Sequence, residues 1–331
     1  MREFEVATSA HSRPPLSTPG LSLSSLPAAS FCPLTLHPSP FVQYVQPPRG
    51  ITSADAATNP TFYNWHLVRP IYCDGGGFAG RAGYKAAGNG SEGVHLDGWR
   101  IIHAILGDLR ASRGMTAPAR ILLSGSSAGG QAVVTLCDWL PLLFPRALVK
   151  CIMDAGLFVA MTPANQWQCF FPHQALRFVS SPVLAVNSLF DYRALMLGNQ
   201  LPANQAQATA CLRQIAKEGG TDLLKLVNSQ TWRQDRSALA EIQSGGALFP
   251  GGAAAAEAPV CAPEEHRAVL NVAWQMIQYT DAASLELGPT VSTFVTPAIA
   301  HCALTSPKWD SLMDKGVTLR DAVTTWYKRP L

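Results

Sequence analysis

Charge is scarce in this sequence. Asp, Glu, Lys and Arg together make up 14% of its 331 residues, against 47% hydrophobic. The cations are scattered and form no run, so the basic stripe that nucleic-acid binding needs is missing and no nucleic-acid partner is expected. No stretch of about 18 or more uncharged apolar residues occurs, so no membrane span is expected. The opening residues, MREFEVATSAHSRPPL, carry no apolar core of the kind a secretory signal needs. The expectation is either an intracellular chain or a natural start that lies elsewhere. None of the eight cysteines (Cys32, Cys73, Cys137, Cys151, Cys169, Cys211, Cys261 and Cys302) falls in a C-x-x-C pair, which argues against zinc ribbons and dithiol redox sites. Their wide spacing leaves two readings open: buried single thiols, or a few disulfides in a secreted enzyme.

What is present is ample apolar material, enough for one large α/β domain or two small ones. The formal net charge of +3 would suit an acidic polymer, but it is also the ordinary balance of a solvated surface. Residues 1–48 are rich in Pro and Ser (SRPPLSTPGLSLSSLP, HPSP, QPPR). Proline fixes φ and removes a backbone donor, so this stretch is expected to be an irregular or disordered arm without a helix or a central strand.

Order is expected from Asn59 onward. HLVRPIYC (66–73) reads as a strand ending in the turn Asp74-Gly75-Gly76-Gly77. Trp99, Ile102, Ile105, Leu106 and Leu109 recur at three- and four-residue spacing, which predicts a helix over 95–112 with one apolar face. ARILLSG (119–125) is a short apolar run, hence a buried strand. The pattern then repeats: helix 128–140, strand 147–156, helix 172–179, strand 182–191, helices 205–217 and 264–280, strand 290–299, helix 317–327. Strands alternating with helices predict a mostly parallel sheet covered on both faces. SGGALFPGGAAAAEAP (244–259) reads as a low-complexity surface loop, and no internal repeat is visible.

The sharpest chemical signal is Gly125-Ser126-Ser127-Ala128-Gly129-Gly130, a G-x-S-x-G motif. It follows a buried strand directly and opens a helix, the setting of a nucleophile elbow. The serine sits on a tight turn whose neighbours must be small, and the helix that follows aims its N–H groups and dipole at the reacting oxygen. Ser127 is therefore the candidate nucleophile; the bland alternative is a helix N-cap serine. Ser126 is the x of the motif.

A serine needs a base, and there are eight histidines. In α/β-hydrolases the order is Ser, then acid, then His, with the last two after strand ends. His301 lies just past the last expected strand and fits. His173 and His266 fall in helical segments as surface or packing residues, and His95 and His103 precede Ser127. Asp191 ends the strand PVLAVNSLFD and is the favoured acid. Asp154 ends KCIMDAG and is its rival, although Ala155 and Gly156 suggest a tight structural turn there. The backbone N–H of Ala128 is one expected oxyanion donor. Gly76 and Gly77 are candidates for a second, although their run precedes the elbow strand differently from the glycine loop of lipases. The chemistry implied is two-step acyl transfer without metal or cofactor. Oligomeric state is not addressed by any of these signals.

The segments NPTFYNWHLVRPIYCDGGGFAG (59–80), ARILLSGSSAGGQAVVTLCD (119–138), KCIMDAGLF (150–158), CFFP (169–172), PVLAVNSLFDYRAL (182–195) and IAHCAL (299–304) resemble, in order, the plant pectin acetylesterases, a family that also includes the lipid-removing animal carboxylesterase Notum. The resemblance covers roughly residues 49–331, the expected hydrolase domain. It implies an α/β-hydrolase-like fold, hydrolysis of acetyl esters on cell-wall pectic polysaccharide, a secreted enzyme, and Ser127, Asp191 and His301 as its triad. It also implies the disulfides Cys137–Cys151 and Cys211–Cys261. Family members begin with a signal peptide and a strand ending in a GGGWC-type loop that supplies oxyanion donors. Here the match starts later, at the segment the family writes YCDGASF (Tyr72 to Phe78), so that N-terminal strand is expected to be missing and Cys73 to have lost a partner. A lost oxyanion donor costs about 3–4 kcal/mol of transition-state stabilisation. Two other readings stay open: removal of a longer acyl chain from a protein or lipid, and a truncated non-catalytic member that only binds polysaccharide.

Overall fold

The structure is a computed structural model, and it describes residues 4–9, 48–70, 72, 76–80, 82–84, 94–157, 172–197, 205–218 and 261–330. The elements run β1 (Phe4–Ser9), β2 (His66–Val68), β3 (Ala82–Tyr84), β4 (Val94–Leu96), α1 (Gly98–Ser112), β5 (Arg120–Ser126), α2 (Ala128–Leu136), α3 (Leu140–Leu143) and β6 (Leu148–Asp154). They continue α4 (Pro172–Ala175), β7 (Val183–Ser188), α5 (Tyr192–Leu197), α6 (Gln205–Glu218), α7 (Pro263–Glu286), β8 (Val291–Thr296), β9 (Met313–Asp314), β10 (Val317–Thr318) and α8 (Leu319–Lys328). The stretch 244–259 and residues Cys73, Asp74 and Gly75 lie outside the described residues.

One six-stranded sheet has the order β2-β1-β5-β6-β7-β8. Strands β5 to β8 are parallel, and β1 pairs antiparallel with both β2 and β5. The four parallel strands are the short apolar runs of the sequence. Side chains alternate across a strand, so Ile121 and Leu123 enter one buried cluster while Leu122 enters the other. The first cluster is closed by α1, α2, α6 and α7, with Ile102, Val133, Leu212 and Ile277 among its buried residues. The second is closed by α8 and the preceding loop, through Trp309, Leu319, Val323 and Trp326. The expected α/β-hydrolase-like sheet with helices on both faces is therefore observed.

The expected irregular arm is corrected at one place. Phe4–Ser9 is a strand inside the sheet, in register with β5 from Phe4 opposite Gly125 to Ser9 opposite Arg120. The reason is local: FEVATS places β-forming Phe, Val and Thr at alternate positions, and the first proline is Pro14. The described chain thus does put an N-terminal strand beside the elbow strand. A second correction is length. The strand expected over 66–73 stops at Val68, because Pro70 has no N–H to give a ladder.

Helix α8 shows how the second face is held. Thr318 caps its start by accepting from the Asp321 N–H, and the helix stops before Pro330, with Arg329 already extended. Lys150, buried on β6, donates its Nζ to the carbonyls of Trp326, Tyr327 and Arg329, which neutralises the negative end of the helix.

Both disulfides implied by the resemblance are formed. Cys137–Cys151 ties the turn after α2 to the middle of β6, and Cys211–Cys261 ties α6 to the residue two before α7. The second closes the longer loop, with a sequence separation of 50. Chain-entropy arithmetic gives it about 4 kcal/mol. Replacing both Cys211 and Cys261 by Ser is expected to lower the free energy of unfolding by that order, measured from urea unfolding as a lower midpoint, with a slope equal to or steeper than the parent's because the uncrosslinked unfolded chain exposes more surface. An unshifted midpoint would show that this bridge does not contribute.

Candidate active site

Strand β5 delivers Ser127 to the carboxyl edge of the sheet, where α2 begins. Ser127 sits at φ 60 and ψ −121, a left-handed conformation that a non-glycine residue adopts at a cost of about 1–3 kcal/mol. Its N–H donates to the Asp154 carbonyl at 2.9 Å, and its carbonyl accepts the Gln131 N–H. The turn is possible because Gly125 and Gly130, close on either side of it, lack side chains. A Cβ on Gly125 would lie 2.2 Å from the Gly129 carbonyl oxygen, and one on Gly130 would lie 2.8 Å from that of Asp154. Ser127 makes no side-chain cap bond to α2, so the N-cap alternative has no hydrogen bond to support it. Ala128 is the first residue of α2, and a helix leaves such an N–H without an intrahelical acceptor.

Asp191 and His301 are brought together from the ends of β7 and β8. His301 Nδ1 lies 2.8 and 2.9 Å from the two carboxylate oxygens of Asp191, with the side chains 10% and 3% exposed. A carboxylate only accepts, so Nδ1 carries the proton and Nε2 is left as the basic nitrogen. Asp191 Oδ1 also accepts from the N–H groups of Arg193 and Ala194 at the start of α5, which fixes the carboxylate. Ser188 braces the two loops: its hydroxyl donates to the Ala298 carbonyl and accepts the Phe190 N–H. The Tyr192 ring stands edge-on to the imidazole, with centroids 6.1 Å apart.

Asp154, the rival acid, is placed differently. It is fully buried at the end of β6, level with Ser126 in the parallel ladder. Its Oδ2 accepts the Ser126 hydroxyl at 2.7 Å and the Leu304 N–H at 3.1 Å, and Oδ1 accepts the Ala303 N–H at 3.0 Å. Burial pushes its carboxyl up to about 6, against the pull of the Ser126 hydroxyl, the Leu304 and Ala303 amides and the nearby His301. Among the described residues no hydrogen bond joins Ser127 Oγ to His301; the elbow and the histidine loop are joined through Asp154. Residue types alone did not reveal this link, although an Asp closing an apolar strand was a visible signal.

The glycine run packs against the elbow. A Cβ on Gly77 would lie 3.8 Å from the Ala128 carbonyl oxygen, and Gly77 has φ +64. Its own N–H donates to the Tyr72 hydroxyl at 2.9 Å, so that candidate oxyanion donor is engaged in this arrangement. The Gly76 carbonyl accepts the Ala79 N–H. Of the other histidines, His103 is exposed on α1 and lies tilted against Trp99 and Trp139, which also touch each other, and His266 lies in the first turns of α7. His95 is in β4, remote in sequence from the elbow, and His173 is in α4.

Residues 39–168 match the family model described as Pectinacetylesterase. That stretch is similar to the pectinacetylesterase family. It carries Gly76, Gly77, Ser127, Ala128 and Asp154, while Asp191 and His301 lie beyond it. The chain is 31% identical over 174 residues to pectin acetylesterase 7 of Arabidopsis thaliana, covering 43% of this chain and 44% of that protein. It is 26% identical over 194 residues to the palmitoleoyl-protein carboxylesterase notum1 of Xenopus laevis, covering 45% and 39%. The chain therefore spans less than half the length of these curated relatives. Its structure matches that of the Wnt deacylase Notum from Drosophila with a TM-score of 0.58 at 16% identity, over 86% of this chain and 75% of that one. That likeness shows the fold, and it extends past the pectinacetylesterase segment into the half that holds Asp191 and His301. No helix among the described residues is long and apolar enough to cross a membrane.

Proposed function

We propose that this chain is a serine carboxylic ester hydrolase that removes acetyl groups from cell-wall pectic polysaccharide. The observation that carries the reading is the backbone of Ser127: a serine held at φ 60 between a buried strand and a helix, a strained geometry that packing alone does not need. His301 Nε2 takes the Ser127 proton as Oγ attacks the acetyl carbonyl. Asp191 holds the imidazole by Nδ1 and stabilises its charged form. The Ala128 N–H receives the oxyanion. The second donor comes from the adjoining Gly76–Gly77 loop once Tyr72 yields the Gly77 amide. His301 then gives that proton to the departing sugar oxygen, which leaves as a hydroxyl, and water, activated by the same base, releases acetate. These side chains supply every proton transfer, so the steps call for no metal or cofactor. The two disulfides support folding in an oxidising compartment, consistent with a secreted cell-wall enzyme.

The likeness to Notum favours a second reading, removal of a longer acyl chain. Hydrolysis of p-nitrophenyl acetate and p-nitrophenyl octanoate separates the two. A pocket shaped for acetyl is expected to favour acetate in kcat/KM by tenfold or more, since about 1–3 kcal/mol rides on each misfitted methylene. Acetate release from acetylated pectin is expected alongside. Preference for octanoate would assign the long-chain reading, and a folded chain inert to both esters would mark a non-catalytic relative.

A further inference from the structure

We propose that Asp154 is a positioning residue that locks the loop carrying His301 to the turn carrying Ser127. The inference rests on the esterase reading above and assigns that site a further residue. One carboxylate takes three donors from two directions. The Ser126 hydroxyl comes from the elbow, one residue before the nucleophile, and the Ala303 and Leu304 amides come from the loop, two and three residues after His301. The same residue's carbonyl accepts the Ser127 N–H, so Asp154 holds the elbow by main chain and side chain together.

Asp154 is itself fixed from behind. Ala155 sits at φ 46 with its N–H on the Val186 carbonyl, and Gly156 packs on Gly130 of α2 so closely that a Cβ on Gly156 would meet the Gly130 Cα at 2.8 Å. The carboxylate therefore cannot follow a loop that drifts, and the loop must stay with it. Asp191 orients the imidazole within its loop; Asp154 sets where that loop stands relative to Ser127. A buried carboxyl serving only stability would need donors, but not donors drawn one to three residues from both reacting side chains.

Two substitutions separate the links. Ser126→Ala removes only the elbow-side hydroxyl. Asp154→Asn keeps the shape but replaces one accepting oxygen by an amide that cannot accept, so at least one donor is orphaned whichever way it turns. Kinetics on p-nitrophenyl acetate are compared with melting curves, each variant assayed the same interval below its own melting temperature. The expected result is a fall in kcat of about tenfold for Ser126→Ala, which removes one donor from the carboxylate, and about a hundredfold for Asp154→Asn, which removes the carboxylate itself, with KM within about twofold of the parent. The double variant is expected to be no slower than Asp154→Asn, because both act through one link. Should Asp154→Asn fail to fold, Ser126→Ala decides alone. Unchanged kcat in a folded variant, or a loss confined to KM, overturns the proposal. Ser127→Ala is run beside them. If it keeps parental activity, the esterase reading has failed and this inference with it. If it is inactive while the Ser126 and Asp154 variants keep parental kcat, the positioning role alone is overturned.

Discussion

Ser127→Ala lowers kcat on p-nitrophenyl acetate by about a millionfold, with the chain still folded. The size follows from the role: without Oγ no acyl-enzyme forms, and what remains is binding plus the oxyanion donor, which together keep only a thousandfold or so over water. The fold is expected to survive because the substitution removes one hydroxyl that makes no cap bond to α2 and leaves the packing of the elbow in place. Alanine at φ 60 carries the same backbone strain as serine, so stability changes little in either direction. Adding His301→Ala to Ser127→Ala is expected to cost nothing further, because nucleophile and base act as one unit. Burst-free, background-level hydrolysis with an unchanged melting curve is the expected record; residual activity above a hundredth of the parent would place the nucleophile elsewhere.

Asp191→Asn is the second large effect, about ten-thousandfold in kcat. Asn at this position presents an amide whose N–H₂ donates, and the imidazole can satisfy it by moving its proton to Nε2. That tautomer cannot take the Ser127 proton. The loss is expected to fall on kcat and not on stability, for a local reason. Asp191 also accepts two backbone N–H groups at the start of α5, and Asn accepts such bonds about as well as Asp. A variant with the parent's melting temperature, its KM and a ten-thousandth of its kcat fits this account. A kcat within tenfold of the parent would pass the role of acid to another carboxylate, and Asp154, whose carboxyl feels the charge of His301, is the candidate.

Much of this was legible in residue order. The four parallel strands are short apolar runs, each followed by helical spacing, and buried strands must read that way. The place of Ser127 on a tight strand-to-helix turn could be read because such a turn demands small residues nearby, and Gly125 and Gly129 supply them. That Asp191 and His301 stand past strand ends could be read from their places just after two apolar runs, and the structure pairs them there. The rest was not legible, for physical reasons. Strand β1 stands before a proline-rich stretch whose composition masked six residues of alternating β-formers. The hairpins β3–β4 and β9–β10 have strands of three and two residues, too short for any period to register. The role of Asp154 depends on its register opposite Ser126 and on a loop folding back nearly 150 residues later, a tertiary fact that no local pattern carries.

The central claim is that Ser127 is an activated nucleophile, and covalent labelling reads it directly. The folded parent chain, treated with a fluorophosphonate and digested for peptide mass mapping, is expected to carry one adduct, on Ser127, that does not form after denaturation. An adduct on Ser126 or on any other serine, or none at all on a chain shown to be folded, would contradict the account.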